Sequence, residues 1–274
     1  MKKLLAVLLT LAMVVTLFAA CGDKKPADAA SEINVCIASE PDTIDPALNS
    51  AVDGATLIAH LFSGLAKWAQ DDNGNLIIVA DAAQELTEGV KNDDGTITYT
   101  YTLRDGLTWS DGQPLTAQDF VYSWNRACSL ELGADYGYML EIVDGYDATQ
   151  DENQPDAKLN AKAIDDKTIE VTLTTDVPYW NELLAFPSYF PVREDVVANE
   201  SWATDPATYI CNGAYKMTDW KHNSVITLEK NENYYDADKV TMDKINFYLS
   251  DDANNMLANF KNGDWKLIDD VPTN

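Results

Sequence analysis

Apolar positions along this chain change period from one segment to the next. An apolar run from Leu4 to Val15, interrupted by Thr10 alone, follows Lys2 and Lys3. Ile33 to Ile37 has the make-up of a short strand, and Pro41, Asp45-Pro46 and Asn49-Ser50 after it mark a loop. Ala55 to Leu65 then carries Leu57, Ile58, Leu61, Phe62 and Leu65 at helical spacing, with Gly64 weakening its end. Thr96 to Leu103 alternates strictly through β-branched and aromatic residues, behind an Asp93-Asp94-Gly95 turn. Lys167 to Thr174 alternates again, with Ala161 to Ile164 as the other arm of a hairpin. Between these strands Thr116 and Asp119 form an acidic capping box for a helix that puts Phe120, Val121, Trp124 and Cys128 on one face. A shorter helix is expected over Tyr179 to Ala185, between Pro178 and Pro187. Ala214 to Trp220 and Val225 to Glu229 flank a His222-Asn223 turn, and Ile245, Phe247 and Leu249 alternate in a further strand. Ser250 is expected to cap a last helix with Met256, Leu257 and Phe260 inward, stopped by Gly263. Strands and helices without a regular βαβ rhythm point to a mixed α/β architecture.

Composition bears on partners. The 274 residues are 46% hydrophobic and 23% charged, enough for one large or two ordinary cores. A formal net charge of -26 repels phosphate backbones, which excludes nucleic acid as a partner class. It also repels an anionic membrane, so membrane attachment needs a separate device.

The N-terminus supplies one. A basic start, an apolar stretch shorter than the about 20 residues of a spanning helix, and small residues before Cys21 make a secretory signal over 1–20. Phe18-Ala19-Ala20-Cys21 resembles a bacterial lipobox, with Phe18 where an aliphatic residue is usual. The resemblance implies lipidation of Cys21, and the polar, small residues of 21–32 are then a tether. Cys36, Cys128 and Cys211 remain, with no zinc spacing or C-x-x-C. They are expected to be small buried residues, with one disulfide plus a free thiol as the alternative.

Catalytic chemistry is poorly signalled. The chain has two histidines, His60 on the first helix and His222 in a turn, and no H-E-x-x-H, G-x-S-x-G, Walker or G-x-G-x-x-G motif. Forty-five carboxylates make a glycosidase pair available by chance alone, so a carboxylate-based surface glycosidase stays only as a rival reading. Asp71 to Asn75 mimics a calcium loop, but its Gly is misplaced and Ala82 stands where the closing Glu belongs. An Asp/Asn/Gly turn is expected there, with no metal and no cofactor anywhere. Trp109 and Trp124 are expected in the core.

Six segments in order resemble the family-5 extracellular solute-binding proteins of ABC transporters, in their oligopeptide-binding subgroup. They are Ser39 to Pro46; Leu103 to Trp124, with its Trp109-Ser110-Asp111-Gly112-Gln113-Pro114 turn; Ala163 to Thr168; Pro178-Tyr179; Asn212-Gly213-Ala214-Tyr215; and Leu228 to Asn231. Asp111-Gly112 forms a tight turn, Pro114 stiffens its exit and Thr116 caps the helix, so this signature identifies the fold more than it touches ligand. The resemblance implies a periplasmic-binding-protein-like (type II) α/β fold. An incomplete first lobe (33–62 and 194–274) would carry an inserted, β-rich smaller lobe (63–193).

It also implies capture of oligopeptides for delivery to ABC permease subunits, without covalent chemistry, by a monomer held on the outer face of the cytoplasmic membrane. In relatives an extended segment pairs its backbone with the peptide, and by spacing from Asp45-Pro46 it falls on Ser50, Ala51 and Val52. A Tyr contact matches Tyr136. The alternatives are a plain loop at 50–52 and a core role for Tyr136. Relatives are much longer, and this chain stops at Val271-Pro272-Thr273-Asn274, where a further lobe is expected. A truncated form, or a structural fragment without ligand binding, is therefore expected as well.

Overall fold

The computed structural model describes residues 31–273; the expected signal segment, Cys21 and most of the tether lie outside these. Along the chain run β1 (Glu32–Ile37), α1 (Val52–Leu61), β2 (Ala66–Gln70), β3 (Leu76–Ala80), β4 (Val90–Lys91) and β5 (Ile97–Thr102). Then follow α2 (Ala117–Ala127), β6 (Ala161–Ala163), β7 (Thr168–Leu173), β8 (Tyr215–Lys221), β9 (Val225–Lys230), β10 (Lys244–Leu249), α3 (Ala253–Asn262) and β11 (Leu267–Ile268). Single-turn helices lie between α2 and β8. The strand at Glu32 begins where the tether was expected to end.

One sheet has the order β11-β1-β10-β9-β8, with β1 parallel to both β10 and β11 and the rest antiparallel. A second has the order β4-β5-β7-β6, and β2 pairs only with β3. The alternation in β5 and β7 explains their pairing. Tyr99 lies opposite Val171 and Tyr101 opposite Ile169, so each strand turns one face to the core. The polar ends of the buried aromatic rings find partners. Trp180 Nε1 donates to the Tyr101 hydroxyl at 2.9 Å, Trp124 Nε1 to the Tyr189 carbonyl at 2.9 Å, and Tyr189 to the Met139 carbonyl at 2.8 Å. The capping box is in place, with the Asp119 carboxylate accepting from the Thr116 N–H at 2.7 Å. Trp109 and Trp124 are fully buried, and His60 is half-buried against Tyr215 and Phe247.

Three sequence motifs meet in space. Gly112 has φ +85, a left-handed turn that glycine takes without strain, and its N–H donates to the Trp109 carbonyl. This turn docks on the segment before β8: Ser110 N–H donates to the Cys211 carbonyl at 2.7 Å, and Asn233 Nδ2 to the Ser110 carbonyl at 3.0 Å. Asn212 meanwhile binds both backbone groups of Ser63, and fully buried Asn231 donates to the Gly213 carbonyl at 2.9 Å. The motifs are joints between elements.

That joint corrects the first helix. It ends at Leu61, four residues short of the expected Leu65. Gly213 N–H takes the Leu61 carbonyl at 2.8 Å and Asn212 takes the Ser63 N–H and C=O at 3.1 and 2.9 Å. The backbone groups that would continue the helix are thus already paired. Leu57, Ile58 and Leu61 are fully buried, each contributing about 1.5–3 kcal/mol.

Two further corrections concern α3. Its cap is Asp252, whose carboxylate accepts from Asn254 and Asn255 N–H, while Ser250 N–H is tied to the Ile37 carbonyl. Phe260 is 47% exposed instead of inward. Met256 is the buried residue of this helix, and it joins a small cluster with Cys36 and Trp265 that does not include Phe260. The short helix after Pro178 is confined to Trp180–Leu183.

The three described cysteines are free and buried. Burial, with Asp269 adding to it, pushes the Cys36 thiol up to about 11, and burial pushes Cys211 to about 12. Asp71 forms the expected turn, its Oδ1 accepting from Asn73 and Asn75 N–H at 2.8 Å each. Among the described residues no group of His, Cys, Asp and Glu could hold a metal ion, and no helix is long and apolar enough to cross a membrane.

Candidate functional site

The loop from Ser39 to Ala51 is short of regular structure but heavily tethered. Asp45, 3% exposed at its side chain, receives both guanidinium nitrogens of Arg126, Nη1 to Oδ1 at 3.0 Å and Nη2 to Oδ2 at 2.6 Å. The same carboxylate accepts the Ala47 N–H at 3.0 Å, and the Asp45 carbonyl accepts from Leu48 and Asn49 N–H. Tyr209, inside the core, donates to the Ile44 carbonyl at 2.7 Å. Asn49 Nδ2 then donates to the Ala51 carbonyl at 3.0 Å, and Ser39 Oγ to Asp53 Oδ2 at 2.8 Å. The loop therefore presents its last residues from a rigid frame.

Those residues are Ser50, Ala51 and Val52. All three are exposed, Val52 to 81%. Ala51 is extended, with φ -119 and ψ 154, but Val52 is already the first residue of α1. Ala51 occupies the N-cap position and no side chain caps the helix there. Gly54 N–H donates to Asp53 Oδ1 at 2.8 Å, so at this end the N–H groups of Val52 and Asp53 are the ones left as backbone donors for an incoming group. A cavity of about 200 Å³ adjoins it, with Ile37, Ala38, Ala51 and Val52 as its apolar wall and Asp53 and Asp269 as its charges. Asp269 arrives through the parallel pairing of β11 on β1.

Tyr136 sits elsewhere. It is half-buried, edge-on to Phe186 at 5.2 Å and tilted to Tyr138 at 6.1 Å between ring centroids. It does not line the cavity beside Val52. Sequence reasoning reached Ser50 to Val52 and Tyr136 but missed Arg126, Asp53 and Asp269. The only signal for the first was the acidic partner Asp45, and nothing local marks the others.

The chain belongs to the bacterial extracellular solute-binding proteins, family 5, whose middle-region model matches residues 81–274. The oligopeptide-binding protein OppA of Bacillus subtilis is 33% identical over 97% of this chain and 50% of its own length. The probable deoxycholate-binding periplasmic protein YgiS of Escherichia coli is 35% identical over 78% of this chain and 39% of its own. The OppA structure from Burkholderia pseudomallei superposes with a TM-score of 0.78 at 30% identity, covering 89% of this chain and 47% of that one. The chain thus spans about half the length of the curated relatives it matches. These relatives are solute-binding proteins, and the mixed α/β fold is that of the periplasmic binding proteins.

Proposed function

We propose that this chain forms one wall of an oligopeptide site in a lipid-anchored binding protein that delivers peptides to ABC permease subunits. The observation that carries the reading is the exposed, uncapped backbone at Ser50 to Val52, held out by a rigid loop beside a cavity. Backbone pairing is indifferent to side-chain identity, which suits a carrier of varied sequences. Relatives named for oligopeptides and for dipeptides support peptides as the ligand class. Tyr136, with Phe186 and Tyr138 around it, is proposed as a second contact surface for ligand side chains. Membership of a solute-binding family favours capture over glycoside hydrolysis.

The lobe division is part of the proposal. All strands of the five-stranded sheet come from outside 63–193, and all strands of the other sheets from inside it. So is the anchor at Cys21, which holds the acidic chain at a membrane its own charge would leave. Labelled palmitate fed to cells making the chain is expected in the wild type and absent from Cys21→Ser; equal labelling of both defeats the anchor.

Val52→Pro tests the site. Proline at the first helical position keeps the helix, and the extended Ala51 before it is the conformation proline requires. The variant loses one free N–H. We expect unchanged melting and a several-fold loss of tri-alanine affinity, about 1 kcal/mol for one hydrogen bond. In an amide-resolved titration of the wild type, tri-alanine should perturb Ser50 to Val52 and Tyr136. Perturbations confined to other residues defeat the reading.

A further inference from the structure

A second surface lies around the C-terminal end of α2. One cavity of about 420 Å³ opens over the Asp45–Arg126 pair, walled by Leu48, Leu132 and Trp202 and edged by Glu200. Another of about 390 Å³ runs past Leu130 and Pro155 and carries Asp151 and Glu152. Ser129 and Glu131 line both, so the two cavities adjoin as a groove at this shared pair. Each half has the size of a side-chain or ligand pocket. Neither contains Ser50 to Val52 or Tyr136.

The groove is net negative, with Asp45, Glu131, Asp151, Glu152 and Glu200 against Arg126 and Lys158. Arg126 is neutralised in its bidentate pair with Asp45, which leaves Lys158 at the far rim as the other cation. The ion pairs of the described residues leave Glu131, Glu152 and Glu200 without a cation. The C-terminal end of α2 adds its negative dipole at Ser129, which favours a cation in the same place. Leu130, 50% exposed, offers apolar contact between the two halves.

We propose that this groove docks a lysine- or arginine-bearing segment of a partner protein. A second copy of this chain is a poor occupant, because two bodies of net charge -26 repel. A cationic segment is attracted by the field of the whole chain and finds unpaired carboxylates at the groove, with alkyl stems lying on Leu130, Leu132 and Trp202.

The test uses the full chain and an end-capped, fluorescent dodecapeptide of alternating Lys and Leu, bearing one photo-reactive group, at about 0.15 M salt. Binding is compared for the wild type, the groove variant Glu131→Lys/Glu152→Lys/Glu200→Lys, and the control Asp72→Lys/Asp93→Lys/Asp166→Lys, which changes net charge equally at exposed sites. Loss of about tenfold in the groove variant, with less than about twofold in the control, is expected for a localised charge site. Equal losses in both, or no loss in the groove variant, overturn the proposal. Cross-links on the wild type provide a readout independent of variant folding. Links at residues 129–132 and 151–158 are expected, and links spread over the surface or confined to 50–52 overturn it.

Discussion

Asp45→Ala is expected to destabilise the fold by about 3–5 kcal/mol, the cost of removing one partner of a buried ion pair. Arg126 is only 14% exposed at its side chain and would keep its charge without the carboxylate that now pairs with it. The variant also strips the acceptor from the Ala47 N–H, which lies in the same turn. Urea unfolding followed by tryptophan fluorescence measures the loss. Asp105→Ala is the matched control. Asp105 pairs with Lys167 on the surface, with side chains 84% and 53% exposed, and its removal is expected to leave the midpoint in place. The double variant Asp45→Leu/Arg126→Met removes both charges together and is expected to recover most of the deficit, since an apolar pair of similar volume replaces a buried ionic one at little cost. An Asp45→Ala midpoint no lower than that of Asp105→Ala would sink the buried-pair account. The same substitution should loosen the site. Asp45 holds the turn that leads into Ser50, so amide exchange at residues 48–51 should rise in step with the lost stability.

Sequence and structure agree where the deciding forces are local. The alternation of 96–103 and 167–174 is set by which face of a strand is buried, and the register follows from it. Thr116 and Asp119 are three residues apart on one turn, so their contact is written in the spacing. The end of α1 is different. Its helical spacing runs on through Leu65, but Asn212, 149 residues away, claims Ser63. No local pattern carries that information. Arg126 likewise reads as a polar residue near a helix end, and its burial depends on Asp45, 81 positions earlier. The site shows both behaviours. Counting from Asp45-Pro46 gives Ser50 to Val52 as the proposed contact, and the tethered turn holds that stretch at a fixed distance from Asp45. The cavity beside them needs Asp269, which reaches it only after β11 has paired with β1. Family motifs bridge this gap. The segments that carry the resemblance are joined to distant parts of the fold: Ser110 accepts from Cys211, Asn212 donates to Ser63 and Asn231 donates to Gly213.

Gly213→Ala is the sharpest test of that joint. A Cβ built on Gly213 would lie 2.5 Å from the Leu61 carbonyl carbon, 2.6 Å from the Phe62 nitrogen and 2.7 Å from the Leu61 oxygen. All three are backbone atoms at the last turn of α1, so no side chain can swing aside. Relief requires moving the helix end or β8, and either motion stretches the Gly213 N–H to Leu61 bond and the Asn212 bridge to Ser63. Overpacking costs about 1–3 kcal/mol where some atoms can yield. We expect about 3 kcal/mol here. Gly74→Ala calibrates the measurement. Gly74 has φ +82 with nothing within 4 Å of its built Cβ, so it carries the left-handed penalty of about 1–2 kcal/mol and no clash. Asn212→Ala should cost about 2 kcal/mol by leaving buried Ser63 groups unpaired, and combining it with Gly213→Ala should cost less than the sum, because both act on one contact. A Gly213→Ala loss no larger than that of Gly74→Ala would mean that α1 does not seat on this strand. The clash also has a functional reading. Moving α1 along its axis shifts Val52 at its other end, so Gly213→Ala should perturb tri-alanine binding even though Gly213 lies outside the cavity beside Val52.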